Sequence, residues 1–281
     1  MTKLFSENIV ATLVNELSKW SSDGELEKLY QWPIEGALSN LPVKYKSIAA
    51  EVNKGNGTLE KSLLLRQIIK GLSSDFSLSK WIVENWGGIK GKDDESLKSC
   101  IDKSDKQDFD FNRIASWSKH IAFKYPEQYA IYDSRVIYTL NWLLLKAGSK
   151  LYFPVPSGRN SVMELLDYRI LLLIKHYEVS GVEKHLNDDI VARNMTPGRK
   201  SYVANKLNKE LFIESKIAFV EYCELLLELK NKLYQNDPLG MGLTKVEMML
   251  FSLADKDISL EVLSDFSKVV NKITAENSSI G

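Results

Sequence analysis

Apolar side chains recur every three or four residues along most of this chain, and this periodicity constrains the fold more than any other feature. Near the start it follows a residue type that caps helices, Ser6, and is carried by Ile9, Leu13, Leu17 and Trp20. Stretches in which apolar and polar residues alternate are too short to predict strands. The sequence also contains no internal repeat. The sequence therefore predicts an all-α fold.

Composition and breaker residues divide the 281 residues into three parts. We predict an N-terminal helical layer over 1–91, a polar connection with one weak helix over 92–110, and a central and C-terminal helical part over 111–281. With 44% hydrophobic residues, the parts can pack as one or two coupled lobes. Helices are predicted over 7–20, 25–31, 44–53, 59–72, 77–86, 162–177, 201–234, 245–255 and 260–273, with a loop over 151–161.

The start of the sequence, the length of its apolar runs and its cysteine and histidine content limit the class of protein to which the chain can belong. The start lacks the form of a signal peptide and no apolar run is long enough to span a bilayer, so we expect a protein of the cytoplasm or bacterial nucleoid with no membrane partner. Two cysteines, Cys100 and Cys223, and three scattered histidines predict no disulfide framework, no metal site and no cofactor.

The charge is distributed unevenly. The formal net charge is zero, which argues against a protein that coats nucleic acid. Between Phe111 and Lys175, however, nine Lys or Arg residues face four Asp or Glu residues. This local excess fits either a DNA contact or ordinary solvated helix faces.

The stretch from Arg113 to Leu140 contains the residues most suited to chemistry. It predicts a helix carrying Lys119, a connection with Pro126, and a second helix that begins after Asp133. Small neighbours would let the lysine lie against a packed surface, where desolvation favours a nucleophilic amine; the alternative is an exposed surface lysine. Asp133 can cap the second helix, and the same carboxylate can also face a site.

This stretch resembles the helix-hairpin-helix DNA glycosylases, and most closely their 8-oxoguanine glycosylase-like branches. The resemblance rests on Ser-Lys, an apolar turn, a Tyr-Pro connection and the Asp-Ser-Arg-Val helix start, with WGGIKG and FPVPSGRN as weaker similarities. In place of the usual GxGxK hairpin the chain has ASWSK, and only fourteen positions separate Lys119 from Asp133. The resemblance therefore implies a multi-helix glycosylase-like fold with a degenerate helix-hairpin-helix element.

The resemblance implies cleavage of an N-glycosidic bond in DNA that carries an oxidised, damaged or otherwise modified base. Asp133 would stabilise the oxocarbenium-like sugar or orient the attacking group, and Lys119 would attack C1′ and form a Schiff base. A hydrolytic member would use water instead. The expected protein is a monomer that acts in base-excision repair or in defence against phage DNA with modified bases.

A flipped base needs an aromatic slot, and the vacated stack needs a wedge. The candidates for these roles are Trp86, Trp117, Tyr125 and Tyr132, each of which has a core position as its alternative. Candidates for holding phosphates or reading base edges are Ser134, Arg135, Arg159 and Asn160, with the basic segment 195–202 as a second phosphate contact.

A second hypothesis comes from another class of protein. The chain would then be a non-catalytic helical module that binds DNA or another protein and keeps the glycosylase-like helices. The zero net charge and the missing hairpin glycines favour it. The two hypotheses differ in one measurable property, the release of a base from DNA.

Overall fold

The computed structural model describes residues 3–70, 72, 75–89, 93–156, 166–195 and 210–278, and this part of the chain is all-α, as predicted. Extended pairing among these residues is limited to one parallel bridge between Tyr152 and Phe212. No helix within the described ranges is long and apolar enough to cross a lipid bilayer.

Five helices form the N-terminal third. They are α1 (Glu7–Ser18), α2 (Asp23–Leu29), α3 (Ile34–Ser39), α4 (Lys46–Val52) and α5 (Thr58–Lys70). The cap at Ser6 is confirmed, because its side chain accepts a hydrogen bond from the Ile9 N–H. Helix α3 was not predicted: Pro33 was interpreted only as a divider, whereas it occupies the N-cap position of this short helix.

The central part contains four helices that position the site. They are α6 (Phe76–Trp81), which continues into a π-helical turn (Ile82–Trp86), α7 (Asp94–Asp105), α8 (Ile114–Lys124) and α9 (Ser134–Lys146). The predicted weak helix of the polar connection is α7, three turns long, with Leu97 and Ile101 buried beside Val83. The predicted pair of helices around Pro126 is α8 and α9.

The described residues of the last part include four α-helices, α10 (Arg169–Met195), α11 (Ala218–Leu233), α12 (Gly242–Leu253) and α13 (Ser259–Ser278). Helix α10 is kinked at Glu178, whose backbone φ is 57°. The long helix predicted over 201–234, whose sequence leaves an interruption open, is interrupted between 211 and 217, because the backbone of Leu211 and Ile213 hydrogen-bonds to Tyr152. Residues 157–165 and 196–209 lie outside the described ranges.

Helix α9 occupies the middle of the molecule. Its ten consecutive residues from Val136 to Leu145 are all buried, so neighbouring helices surround it on every side. One large apolar cluster joins residues of α1, α9, α11 and α12, and a second joins α3, α4 and α5 to Trp86 and Phe123. The beginning of α9, where Asp133 lies, is therefore held in a packed framework.

Candidate active site

Lys119 is buried in the middle of α8 and forms an ion pair with Asp133. Its Nζ lies 3.2 Å from Asp133 Oδ2, and it also donates a hydrogen bond of 3.0 Å to the Ala115 carbonyl oxygen. Only 5% of the lysine side chain is exposed, so the alternative of a surface lysine is wrong. Burial disfavours the ammonium, whereas both oxygen partners stabilise it.

Asp133 has two contacts, one for each carboxylate oxygen. Oδ1 accepts the Arg135 N–H at 2.9 Å, which confirms the predicted cap of α9, and Oδ2 faces Lys119. The cap fixes the direction of the carboxylate, and the start of the helix favours its negative charge. The side chain remains 20% exposed, so the pair is open on the aspartate side.

Gly87 permits the lysine to take this position. The π-helical turn ends with a hydrogen bond of 2.8 Å from the Gly87 N–H to the Ile82 carbonyl oxygen. A Cβ at Gly87 would lie 2.5 Å from Lys119 Cδ and 2.8 Å from the Val83 carbonyl oxygen. The turn therefore lies directly against the lysine stem, and π-helical turns of this kind are frequent at functional sites.

The ion pair lies in the wall of a narrow aromatic pocket whose free volume is about 30 Å³. This volume holds about one or two water molecules and is well below the roughly 300–1,000 Å³ of small-molecule sites, so a ligand of the size of a base could enter only if the rings moved apart. Besides the pair, the lining residues are Tyr30, Trp32, Trp86, Gly87, Ile131, Val136, Glu247, Met248 and Phe251. The pocket is thus an apolar slot with a small number of charged groups at one side.

The rings of the pocket pack on one another. Trp32 lies 5.6 Å from Trp86 and 5.4 Å from Phe251, measured between ring centroids. The indole N–H groups of Trp32 and Trp86 are buried and have no hydrogen-bond partner among the described residues. Because an unpaired buried donor is costly, either N–H group would gain from an acceptor that reached it.

A buried ion pair, Arg66 with Glu247, lies beside the pocket, and Glu247 is one of the lining residues. Arg66 donates to both carboxylate oxygens of Glu247, at 2.9 Å and 2.5 Å. The guanidinium also lies 5.5 Å from the centroid of the Trp86 ring. Burial acts to lower the pKa of Arg66, but the Glu247 carboxylate outweighs it and raises that pKa. The Arg66 guanidinium is therefore charged and paired with Glu247.

The pocket residues that sequence reasoning missed include Tyr30, Trp32, Glu247 and Phe251. Burial raises the pKa of the Tyr30 hydroxyl far above its usual range, so this hydroxyl stays neutral. The only local indication of a pocket in the sequence is the pair of aromatic residues just before Pro33. The spacing of Glu247 and Phe251 is that of ordinary residues in an amphipathic helix.

Of the aromatic candidates, only Trp86 lines the pocket. Trp117 is core: it stacks on Phe109 and donates its indole N–H to the Asp110 and Asn112 carbonyl oxygens. Tyr132 is fully buried and donates its hydroxyl to the Pro154 carbonyl oxygen, and Tyr125 is 40% exposed outside the pocket. For Trp117 and Tyr132 the core alternative is correct.

The four candidate phosphate or base-edge residues fall into two groups. Ser134 and Arg135 lie in the first turn of α9, beside Asp133. The Arg135 guanidinium lies 4.8 Å from the Phe251 ring centroid and 3.2 Å from an Asp255 oxygen. Arg159 and Asn160, with most of segment 195–202, lie outside the described residues.

The connection between α7 and α8 spans residues 106–113, and its two non-glycine residues with positive φ are Gln107 and Arg113. Two exposed carboxylates, Asp108 and Asp110, lie in this connection, and Lys106 and Arg113 balance their charge. The connection therefore has no net positive charge with which to attract a DNA phosphate.

A second buried cluster supports α8 from the face opposite Asp133. Asp105 Oδ1 lies 2.9 Å from His120 Nε2 and 2.8 Å from Lys124 Nζ. Burial acts to raise the pKa of the Asp105 carboxyl, but the hydrogen bonds from His120 and Lys124 outweigh it and lower that pKa. The cluster therefore ties the end of α7 to α8.

An Asp105→Asn variant should lose about 1–3 kcal/mol of unfolding free energy at neutral pH, because hydrogen bonds to a charged group are lost. The lowered pKa means that this contribution is present above the unfolded value, near pH 3.9, and disappears as the pH falls through the folded value. Urea unfolding at several pH values measures it. A difference between variant and parent that grows with acidity would contradict the assignment.

Comparisons with known proteins identified no relative of this chain. A scan of protein-family models found no match, and searches of curated proteins and of solved structures also found none.

Proposed function

We propose that this protein is a DNA glycosylase, with or without lyase activity, that excises an oxidised or otherwise modified base. The observation that carries the proposal is the buried Lys119–Asp133 pair at 3.2 Å in the wall of an aromatic pocket. A nucleophile and a carboxylate that stabilises positive charge are both needed at one sugar carbon, and these two groups share one site.

The lining of the pocket suits a base that has left the stack, and such a base would enter by moving the rings apart. Trp32, Trp86 and Phe251 offer ring surfaces for a planar heterocycle, and the two unpaired indole N–H groups offer donors for acceptors on its edge. The sugar of such a nucleotide would lie toward Lys119 and Asp133. An entirely apolar pocket would lack these directional contacts.

The reaction follows from the two charged groups. As the C1′–N bond breaks, its electron pair leaves with the base, and the sugar becomes oxocarbenium-like; the Asp133 carboxylate stabilises this charge. The ammonium of Lys119 gives a proton to the departing base, and the resulting amine then forms a bond to C1′. The C1′–O4′ bond then breaks, O4′ takes up the proton that the attacking nitrogen loses, and a Schiff base forms; removal of a C2′ proton then expels the 3′ phosphate. In the hydrolytic version, water attacks C1′ instead.

The surroundings of the pocket indicate where DNA would be held. The connection 106–113 carries no net charge and is a weak phosphate contact, so the DNA backbone would be bound elsewhere. Ser134 and Arg135 are proposed contacts next to Asp133, and Arg159 and Asn160 are proposed from the sequence alone. A phosphate at Arg135 would compete with Asp255 for the guanidinium. Both biological roles, base-excision repair and defence against phage DNA, use this chemistry.

The test is base release from DNA that carries a panel of oxidised, alkylated, deaminated and hypermodified bases. The parent protein should produce abasic sites on at least one member, and Asp133→Asn should reduce the rate by about 100–1,000-fold. Borohydride should trap a covalent adduct that is lost in Lys119→Gln when the enzyme is a lyase. Asp110→Asn, an exposed carboxylate in the connection before α8, is the control and should keep the parental rate.

No product on any member, with DNA binding intact, would contradict catalysis. That result would favour the second hypothesis, a non-catalytic DNA-binding module.

A further inference from the structure

We infer that the buried Arg66–Glu247 pair is a positioning device that holds the segment Ile131–Asp133, and with it the Asp133 carboxylate, against Lys119. This inference rests on the proposed function for its kinetic consequences. It assigns a role to two residues, one from α5 and one from α12, that are not proposed to touch the reacting atoms.

The first step is the contact between the pair and the segment. Glu247 Oε2 accepts the Ile131 N–H at 2.8 Å, while both carboxylate oxygens accept from Arg66. Ile131 lies two residues before Asp133. Because Arg66 and Glu247 side chains are only 1% and 5% exposed, water does not replace this acceptor.

The second step is that the segment is fixed on all sides. The Tyr222 hydroxyl donates to the Ile131 carbonyl oxygen at 2.7 Å, and the Tyr132 N–H donates to Ser118 Oγ at 3.0 Å. Ser118 directly precedes Lys119. The extended backbone that carries Asp133 is therefore held by side chains of α8, α11 and α12, because no strand partner satisfies it within the described residues.

The third step is that folding alone does not require charges here. A buried ion pair can often be replaced by apolar residues of similar volume without loss of stability. An apolar pair would, however, leave the Ile131 N–H without an acceptor. The feature that Glu247 supplies and an apolar residue cannot is this hydrogen bond, two residues from the proposed catalytic carboxylate.

Two double variants isolate that hydrogen bond. Arg66→Met with Glu247→Met removes the ion pair and the acceptor, whereas Arg66→Met with Glu247→Gln removes the charges and keeps a carbonyl acceptor. Displacement of a reacting group by about 1 Å can cost about 100-fold in rate. We therefore expect kcat for base release to fall about 100-fold in the first variant and less than about 5-fold in the second, with KM for DNA unchanged.

Amide hydrogen exchange separates failure of this inference from failure of the proposed function. The Ile131 amide should exchange at least about 10-fold faster in the Met/Met variant than in the Met/Gln variant, with Leu140 in α9 as the unchanged reference. This result would support the positioning role even when the parent releases no base. Equal exchange at Ile131, or equal kcat in two folded variants, would overturn it.

Tyr222→Phe keeps the test decisive when the double variants do not fold. It removes the hydroxyl that holds the Ile131 carbonyl oxygen and keeps the ring. Here kcat should fall about 10-fold at constant KM, and the Ile131 and Tyr132 amides should exchange faster. Unchanged kcat and unchanged exchange would contradict the role of the segment contacts.

Discussion

An Arg66→Met variant should lose about 3–5 kcal/mol of unfolding free energy, among the largest effects expected of any single substitution in this chain. Removing the guanidinium leaves the Glu247 carboxylate buried with the Ile131 N–H as its remaining donor. It also removes the cation that lies 4.9 Å from the Phe123 ring centroid and 5.5 Å from that of Trp86. Urea unfolding at pH 7 measures the loss.

The matched control is Lys70→Met, one helical turn further along α5. Lys70 also pairs with a glutamate, Glu127, but both side chains are about half exposed, so the change should stay within about 0.5 kcal/mol. A loss below about 1 kcal/mol for Arg66→Met, similar to that of the control, would show that the buried pair stabilises the fold no more than an exposed pair does.

A Gly87→Ala variant should lose about 1–3 kcal/mol of unfolding free energy and reduce base release about 100-fold. The added methyl group would overlap Lys119 Cδ and Cε, and the rigid Val83 carbonyl oxygen blocks its retreat. The lysine stem must then move, which separates Nζ from Asp133. Thermal unfolding and the rate of abasic-site formation measure the two effects.

Gly36→Ala is the control for this substitution. Nothing lies within 4 Å of a Cβ at Gly36 in α3, so alanine there should be neutral or stabilising by up to about 1 kcal/mol. Parental base release by Gly87→Ala would mean that the position of Lys119 is not required for the reaction.

The local features of the site could be predicted from the sequence because short-range rules determine them. Asp133 is a helix cap with a recognisable residue type, and Pro126 follows the end of α8 as its backbone geometry requires. The approach of Lys119 to Asp133 followed from a resemblance, not from periodicity. Its glycosylase meaning stays a prediction, and so does the division of the chain at 92–110.

The pocket could not be predicted, because its walls come from parts of the chain that only the tertiary fold brings together. Arg66 and Glu247 are 181 positions apart, and Trp32 meets Phe251 across a similar interval. Helical periodicity marks Phe251 as buried but does not distinguish the wall of a pocket from a filled core. The same ambiguity made Trp117 and Tyr132 candidates for a base slot although both are core.

The interruption of the long helix predicted from residue 201 has a related cause. The residues from 211 to 217 have the composition of a helix, yet Leu211 and Ile213 hydrogen-bond to Tyr152 instead of continuing one. A tertiary contact therefore outweighed local propensity. Arg66 is the converse case, a charged residue at a fully buried helical position that its partner on α12 stabilises.

The most direct test of the central claim is a structure of the protein bound to duplex DNA that contains a tetrahydrofuran analogue of an abasic site. The account predicts that the analogue leaves the helix, with its C1′-equivalent carbon about 3–3.5 Å from Lys119 Nζ and facing the Asp133 carboxylate. The space of the missing base would then open onto Trp32 and Trp86. DNA bound at a distance from this pocket, or an analogue that stays stacked in the duplex, would contradict the account.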